Sequence, residues 1–142
     1  HKCSMKGANS TEFNKQTKYP VIDLMRSQKG IKHKGASMRL GSYKCSLQTG
    51  TKASSAYKKK NINERHRHRY EFNNKYRKNL EKKGLKVSGI NNSLNLVEMM
   101  EIPSHPWFVG VQFHPELKST VVNVHPLFKD FIHASVKYRN EK

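Results

Sequence analysis

Between Leu94 and Pro115 the chain carries two apolar runs rich in strand formers, residues 94 to 102 and 107 to 113, bounded by Pro103, Pro106 and Pro115. Proline has no backbone donor for a strand ladder and stops regular structure where it falls. The arrangement therefore predicts two buried strands closed off by turns. Downstream, His125-Pro126 precedes Leu127, Phe128, Phe131, Ile132 and Ser135 at helical spacing, with Pro126 suited to a first helical turn. This predicts an amphipathic C-terminal helix that covers the sheet. Strands mixed with helices, and no internal repeat, make the class α/β.

The upstream half is read the same way. Tyr19 to Met25 is a short apolar run behind Pro20, read as a strand, and residues 26 to 37 are polar with two glycines and read as a surface loop. Met38, Leu40, Tyr43, Cys45 and Leu47 alternate with a break at Gly41-Ser42, which predicts two strand pieces joined through a bulge or turn. Asn73 and Asn74 are placed to cap a helix with Tyr76 and Leu80 on one face and Gly84 as its left-handed terminator.

Length, charge and cysteines narrow the class. The 142 residues make one domain or part of one, and the opening His1-Lys2-Cys3 is read as a cut end with no signal peptide. No run approaches the ~20 apolar residues of a membrane-spanning helix, so a soluble protein is expected. Cys3 and Cys45 stand far apart, which argues against a disulfide framework and against paired-thiol zinc ligation, and fits a cytoplasmic setting. The 28 Lys+Arg against 10 Asp+Glu give a formal charge of +18, which favours anionic partners. A small basic nucleic-acid-binding module is the rival reading. The lysines are dispersed, at Lys58 to Lys60, Lys82-Lys83 and Lys137, and there is no zinc-finger or RNP-type fingerprint, so no specific nucleic-acid binding is expected.

The sharpest chemical signal is Gln112-Phe113-His114-Pro115-Glu116. In an extended stretch residues two apart point the same way, so His114 and Glu116 can face one site, with Pro115 stiffening the pair. A carboxylate beside an imidazole selects its tautomer and stabilises the imidazolium formed on proton uptake, which is the base and orienter half of a nucleophilic triad. His66 and His68 do not read as a metal pair. No third ligand lies at suitable spacing and the arginines between and around them repel a cation. Asn73-Asn74, Trp107 and Phe108 are read as capping and core residues, and Arg65 and Arg67 as the solvated face of a strand edge.

Four strings, Gly7 to Phe13 (GANSTEF), Met38 to Gly41 (MRLG), Glu64 to Glu71 (ERHRHRYE) and His105 to Glu116, resemble the CTP synthase family in order and spacing. The last is shared in looser form by all class I glutamine amidotransferases. The resemblance implies the C-terminal portion of the flavodoxin-like, three-layer α/β fold of those amidotransferases. It implies His114 as general base with Glu116 as its partner, and Glu12 and Arg69 as the residues that hold the amino and carboxylate groups of L-glutamine. A zwitterion requires one anion and one cation, and arginine clamps a carboxylate with two bonds. Arg39, in a segment matching a lid, is the candidate for coupling to GTP, the family's allosteric activator. In the resemblance the nucleophile is a glycine-flanked cysteine in a tight strand-to-helix turn. Cys3, between Lys2 and Ser4, and Cys45, in strand alternation, do not qualify. Residues 1–142 are thus expected to be a partial amidotransferase domain, inactive alone, with the nucleophile elbow and an N-terminal synthetase domain that uses ATP, magnesium and UTP lying upstream, in a homotetramer when intact. Leu117 stands where the family usually has phenylalanine.

Overall fold

The computed structural model describes residues 3–24 and 38–142, so the expected loop at 26 to 37 lies outside the described residues. Among the described residues, eight strands and three α-helices follow in order: β1 (Ala8–Ser10), β2 (Tyr19–Leu24), β3 (Arg39–Leu47), α1 (Lys52–Tyr57), β4 (Asn61–His68), β5 (Tyr70–Phe72), α2 (Arg77–Lys82), β6 (Lys86–Asn91), β7 (Leu96–Glu101), β8 (Val109–Val111) and α3 (Pro126–Asn140). Five strands form one sheet in the order β4-β3-β6-β7-β8, and β1-β2-β5 form another. Among the described strands only β1 and β2 pair in parallel. The sequence-adjacent pairs β3–β4, β6–β7 and β7–β8 are antiparallel, the last two joined by short connections, whereas β2–β5 and β3–β6 bring together strands distant in sequence. In the β6–β7 turn, Asn91 Oδ1 accepts from the Leu94 amide at 3.0 Å.

β7 is the expected buried strand, with all six residues inside. The run at 107 to 113 yields only the three residues of β8, half exposed because they sit at the sheet edge and pair with β7 alone. Trp107 packs against the core as read, but Phe108 is exposed and not a core residue. Between Arg39 and Leu47 there is one continuous strand rather than two pieces. Its register against β4 runs from Arg39↔His68 to Ser46↔Asn61 without a shift. The alternation looks broken in sequence because the inward position at its start is a charged residue, Arg39, while Leu40 points out to solvent. Gly41, at φ +104°, lies inside the strand, where a side chain would be strained.

The helix after Asn73 matches expectation. Asn73 Oδ1 accepts from the Lys75 amide at 3.1 Å, a short 3-10 turn (Asn74–Tyr76) leads into α2, and Gly84 at φ +90° ends it. Tyr76 and Leu80 pack with Phe72, Val87, Val97 and Met100 in one core cluster. A second cluster holds Cys45, Leu47, Ala53, Ile62, Met99, Phe113 and Leu127. The amphipathic C-terminal helix forms, but it does not cover the sheet. α3 packs against α1, only Leu127 is fully buried, and Phe131 (50% exposed) and Ile132 (56%) face outward. Strands β1, β5 and β6 and helix α1 were not foreseen as elements, and β4 was foreseen only as the strand edge that carries Arg65 and Arg67. α1 depends on tertiary support, since the buried Glu101 carboxylate accepts from its first amides, Lys52 at 3.0 Å and Ala53 at 3.3 Å. Among the described residues no helix is long and apolar enough to cross a membrane.

Candidate active site

His114 and Glu116 do meet. His114 Nδ1 lies 2.6 Å from Glu116 Oε1. They meet through a turn and not through an extended strand. His114 precedes a 3-10 turn (Pro115–Lys118) with Pro115 at its first position. A carboxylate can only accept, so Nδ1 carries the proton and Nε2 keeps a lone pair available to a reacting group. The charge-assisted bond to His114 holds the Glu116 carboxyl below its usual range. The His114 amide in turn donates to the Arg65 carbonyl at 2.8 Å, fastening the turn to β4.

A buried cluster that sequence reasoning did not find supports the other end of this turn. Glu64 of β4 takes hydrogen bonds at Oε1 from Tyr57 of α1 (3.0 Å) and from His125 Nε2 (3.4 Å), and Lys118 of the turn approaches at 3.3 Å. Burial alone would push the Glu64 carboxyl up, but His125, Lys118 and Tyr57 together bring it below its usual value. His125 also caps α3, accepting from the Leu127 amide at 3.3 Å. One carboxylate thus joins β4, α1, α3 and the turn that carries Glu116. The contacts span seven to 61 residues of chain, so no local pattern announces them.

Arg69 is the single residue between β4 and β5, where the chain leaves one sheet for the other. It stands four residues along from Arg65, which holds the His114 amide. Glu12 is exposed just beyond β1. Thr11 before it bonds the Ile22 carbonyl and Asp23, and Asp23 pairs with Glu71 in β5, so Glu12 and Arg69 lie toward the same end of the three-stranded sheet.

Arg39 is not presented to solvent. Its guanidinium is buried between Glu98 Oε1 at 2.8 Å and Glu71 Oε2 at 3.2 Å, and stacks on Tyr43 at 4.4 Å. Burial pushes the Glu71 carboxyl up to about 7 and raises Glu98 as well, with Arg39 opposing both. His66 and His68 fill the space beside them. Their rings bond each other at 2.7 Å and His68 bonds the Tyr70 carbonyl at 3.0 Å, which leaves little nitrogen for a metal. Among the described residues no group of three or more His, Cys, Asp or Glu could hold a metal ion. Arg65 and Arg67 face solvent as expected. Cys45 is fully buried and its thiol is pushed up to about 12, chiefly by burial, so it is no nucleophile.

A turn next to the sheet edge thus presents a histidine–carboxylate pair on a mixed α/β arrangement of strands. Residues 9–134 match the family model of the class I glutamine amidotransferases, and the chain belongs to that family. Within it, the relatives are CTP synthases. The chain is 58% identical over 140 residues to the CTP synthase of Chlorobaculum tepidum, covering 99% of this chain and 25% of that one. It is 58% identical over 139 residues to that of Chloroherpeton thalassium, with 98% and 25% covered. The chain therefore spans about a quarter of the length of these relatives. Among solved structures, the Trypanosoma brucei CTPS glutaminase domain with bound acivicin superposes with a TM-score of 0.84 at 34% identity, over 95% of this chain and 53% of that one. A GMP synthase subunit of Thermoplasma acidophilum, with a TM-score of 0.55 at 20% identity over 77% of this chain and 48% of that one, shares the fold.

Proposed function

We propose that this chain is the C-terminal portion of the glutaminase unit of a CTP synthase, and that its part in the intact enzyme is proton management and glutamine binding. The 2.6 Å contact between His114 and Glu116 carries this reading. A cysteine thiol supplied from outside residues 1–142 gives its proton to His114 Nε2 and attacks the glutamine carboxamide. His114 then hands that proton to the departing ammonia, and Glu116 stabilises the imidazolium in between. Arg69 clamps the substrate carboxylate and Glu12 takes its ammonium group. The ammonia passes to a synthetase domain that aminates UTP with ATP and magnesium. The described residues contain no cluster suited to the metal, so no step here runs through it. GTP activation through Arg39 would act by way of its ion pairs to Glu71 and Glu98 and not by direct contact, since the guanidinium is buried. A homotetramer in the cytoplasm is part of the same proposal.

Beyond the net charge of +18, no observation favours a nucleic-acid-binding module. The test is His114→Ala in the intact enzyme. CTP formation from glutamine should disappear while formation from added ammonia persists, because free ammonia bypasses the glutaminase step. Loss of both activities in a folded protein would overturn the assignment.

A further inference from the structure

Two histidines, the buried His66 and the part-buried His68, lie just before the proposed glutamine clamp in sequence and take no part in the chemistry given to His114. The acceptors around them determine where their protons are. His68 Nδ1 faces the Tyr70 carbonyl at 3.0 Å and Glu71 Oε1 at 3.4 Å, both acceptors, so it carries the proton. Its Nε2 is then a bare lone pair, and it accepts from His66 Nδ1 at 2.7 Å, which is protonated too. Burial first, and the neighbouring Arg39 charge second, keep both rings neutral, His66 pushed down to about 3 and His68 to about 4. Both are therefore in the Nδ1–H form, the reverse of the tautomer that free histidine prefers, which leaves His66 Nε2 buried without a hydrogen bond, 3.7 Å from Glu98 Oε2.

The bond from His68 to the Tyr70 carbonyl straddles Arg69. It ties the backbone on the two sides of the one-residue link between β4 and β5, at the point where β3 also ends its pairing, Arg39↔His68. His66 is locked in turn, its ring edge-on to Tyr43 at 5.3 Å and to Phe113 at 5.9 Å, and Phe113 is the residue before His114. We propose that His68, with its tautomer set by His66, is a positioning residue that aims Arg69 at the substrate carboxylate by holding the Tyr70 carbonyl. This rests on the reading of Arg69 as the glutamine clamp. A guanidinium that can swing free of its aim loses the bidentate geometry that makes it effective, and the loss falls on substrate binding and not on the proton transfer at His114.

Three measurements on the intact enzyme, and one on the chain, test this. In His68→Leu, which keeps the ring's bulk in part but has no donor, the glutamine KM should rise about tenfold with kcat nearly unchanged, the equivalent of one lost hydrogen bond. In His68→Asn the side-chain amide occupies the place of Nδ1 and can donate to the same carbonyl, so KM should return to within about threefold of the unsubstituted enzyme. In an Arg69→Ala background, His68→Leu should add nothing further, because residues acting through one contact are not additive. Fourth, two-bond 15N spectra of the 15N-histidine-labelled chain should show His66 and His68 protonated on Nδ1. An Nε2–H signal for His68, a loss in kcat instead of a rise in KM, or full additivity with Arg69→Ala would overturn the proposal. If Arg69→Ala itself left the glutamine KM unchanged, the clamp assignment would fail first, whereas a raised KM in Arg69→Ala with none in His68→Leu refutes only the positioning role.

Discussion

Replacing Arg39 by methionine removes a guanidinium that neutralises two carboxylates almost wholly out of water, Glu71 at 3% and Glu98 at 0% exposure. Arg39 approaches Glu98 at 2.8 Å and Glu71 at 3.2 Å, and the pairs join β3 to β5 and β7, that is, one sheet to the other. Breaking a buried ion pair by deleting one partner costs ~3–5 kcal/mol, because the remaining charge is left desolvated and uncompensated. Against a typical net stability of ~5–15 kcal/mol this is about a fifth of the total or more. The sign of the pH dependence follows from the carboxyls. Burial already raises Glu71 to about 7 and Glu98 in the same direction, and Arg39 is what opposes it, so both rise further in Arg39→Met. A carboxyl whose folded pKa exceeds its unfolded value favours folding at low pH and loses that contribution as pH rises through the folded pKa. The deficit of Arg39→Met should therefore be largest near about pH 8 and shrink toward about pH 5, where the two carboxyls take up protons. Urea unfolding read by the fluorescence of the single tryptophan, Trp107, at both pH values measures it. The triple variant Arg39→Met, Glu71→Gln, Glu98→Gln should recover most of the loss, since no charge is left behind. A deficit below about 1 kcal/mol at the higher pH, the size of an exposed pair, or one equal at the two pH values, would refute the reasoning.

Other outcomes follow from the same coordinates. In the intact enzyme Glu116→Gln should lower kcat for glutamine by about 10²-fold or more with a small change in KM, because the amide cannot stabilise the imidazolium; a steady-state glutaminase assay checks it. Gly89→Ala should destabilise by ~1–3 kcal/mol or more, since an added Cβ would lie 2.6 Å from Cys45 Sγ and 2.9 Å from Met99 Cγ in a packed core; thermal melting reads this. Iodoacetamide should modify Cys3, which is partly exposed, and leave Cys45 untouched until urea unfolds the chain, as peptide mass mapping would show.

What the amino-acid order determined alone is local. His114 and Glu116 are two residues apart, so their meeting needs nothing beyond the turn they make around Pro115, and the same holds for Asn73 capping its own helix and Gly84 ending it. β7 was legible because Leu96, Val97, Met99 and Met100, closed off by Pro103, make a short apolar-rich run with few other uses, although nothing local announced that Glu98 and Glu101 would be buried with them. The remainder depended on partners that sequence does not bring near one another. Whether Gly41 marks a bulge or a continuous strand was decided by β4, whose eight residues pair in unbroken register and draw the charged Arg39 inward. That inward turn is tolerable only because Glu71 and Glu98, 32 and 59 residues away, meet it. Likewise α3 carries a helical apolar stripe by its own spacing, but which surface it packs on is set by His125 and Leu127 docking near α1 and β4, so the stripe itself faces outward. Short-range geometry is written in bond angles and side-chain period, whereas buried charge is stable only where the folded chain supplies the opposite charge, and that supply is a property of the tertiary structure.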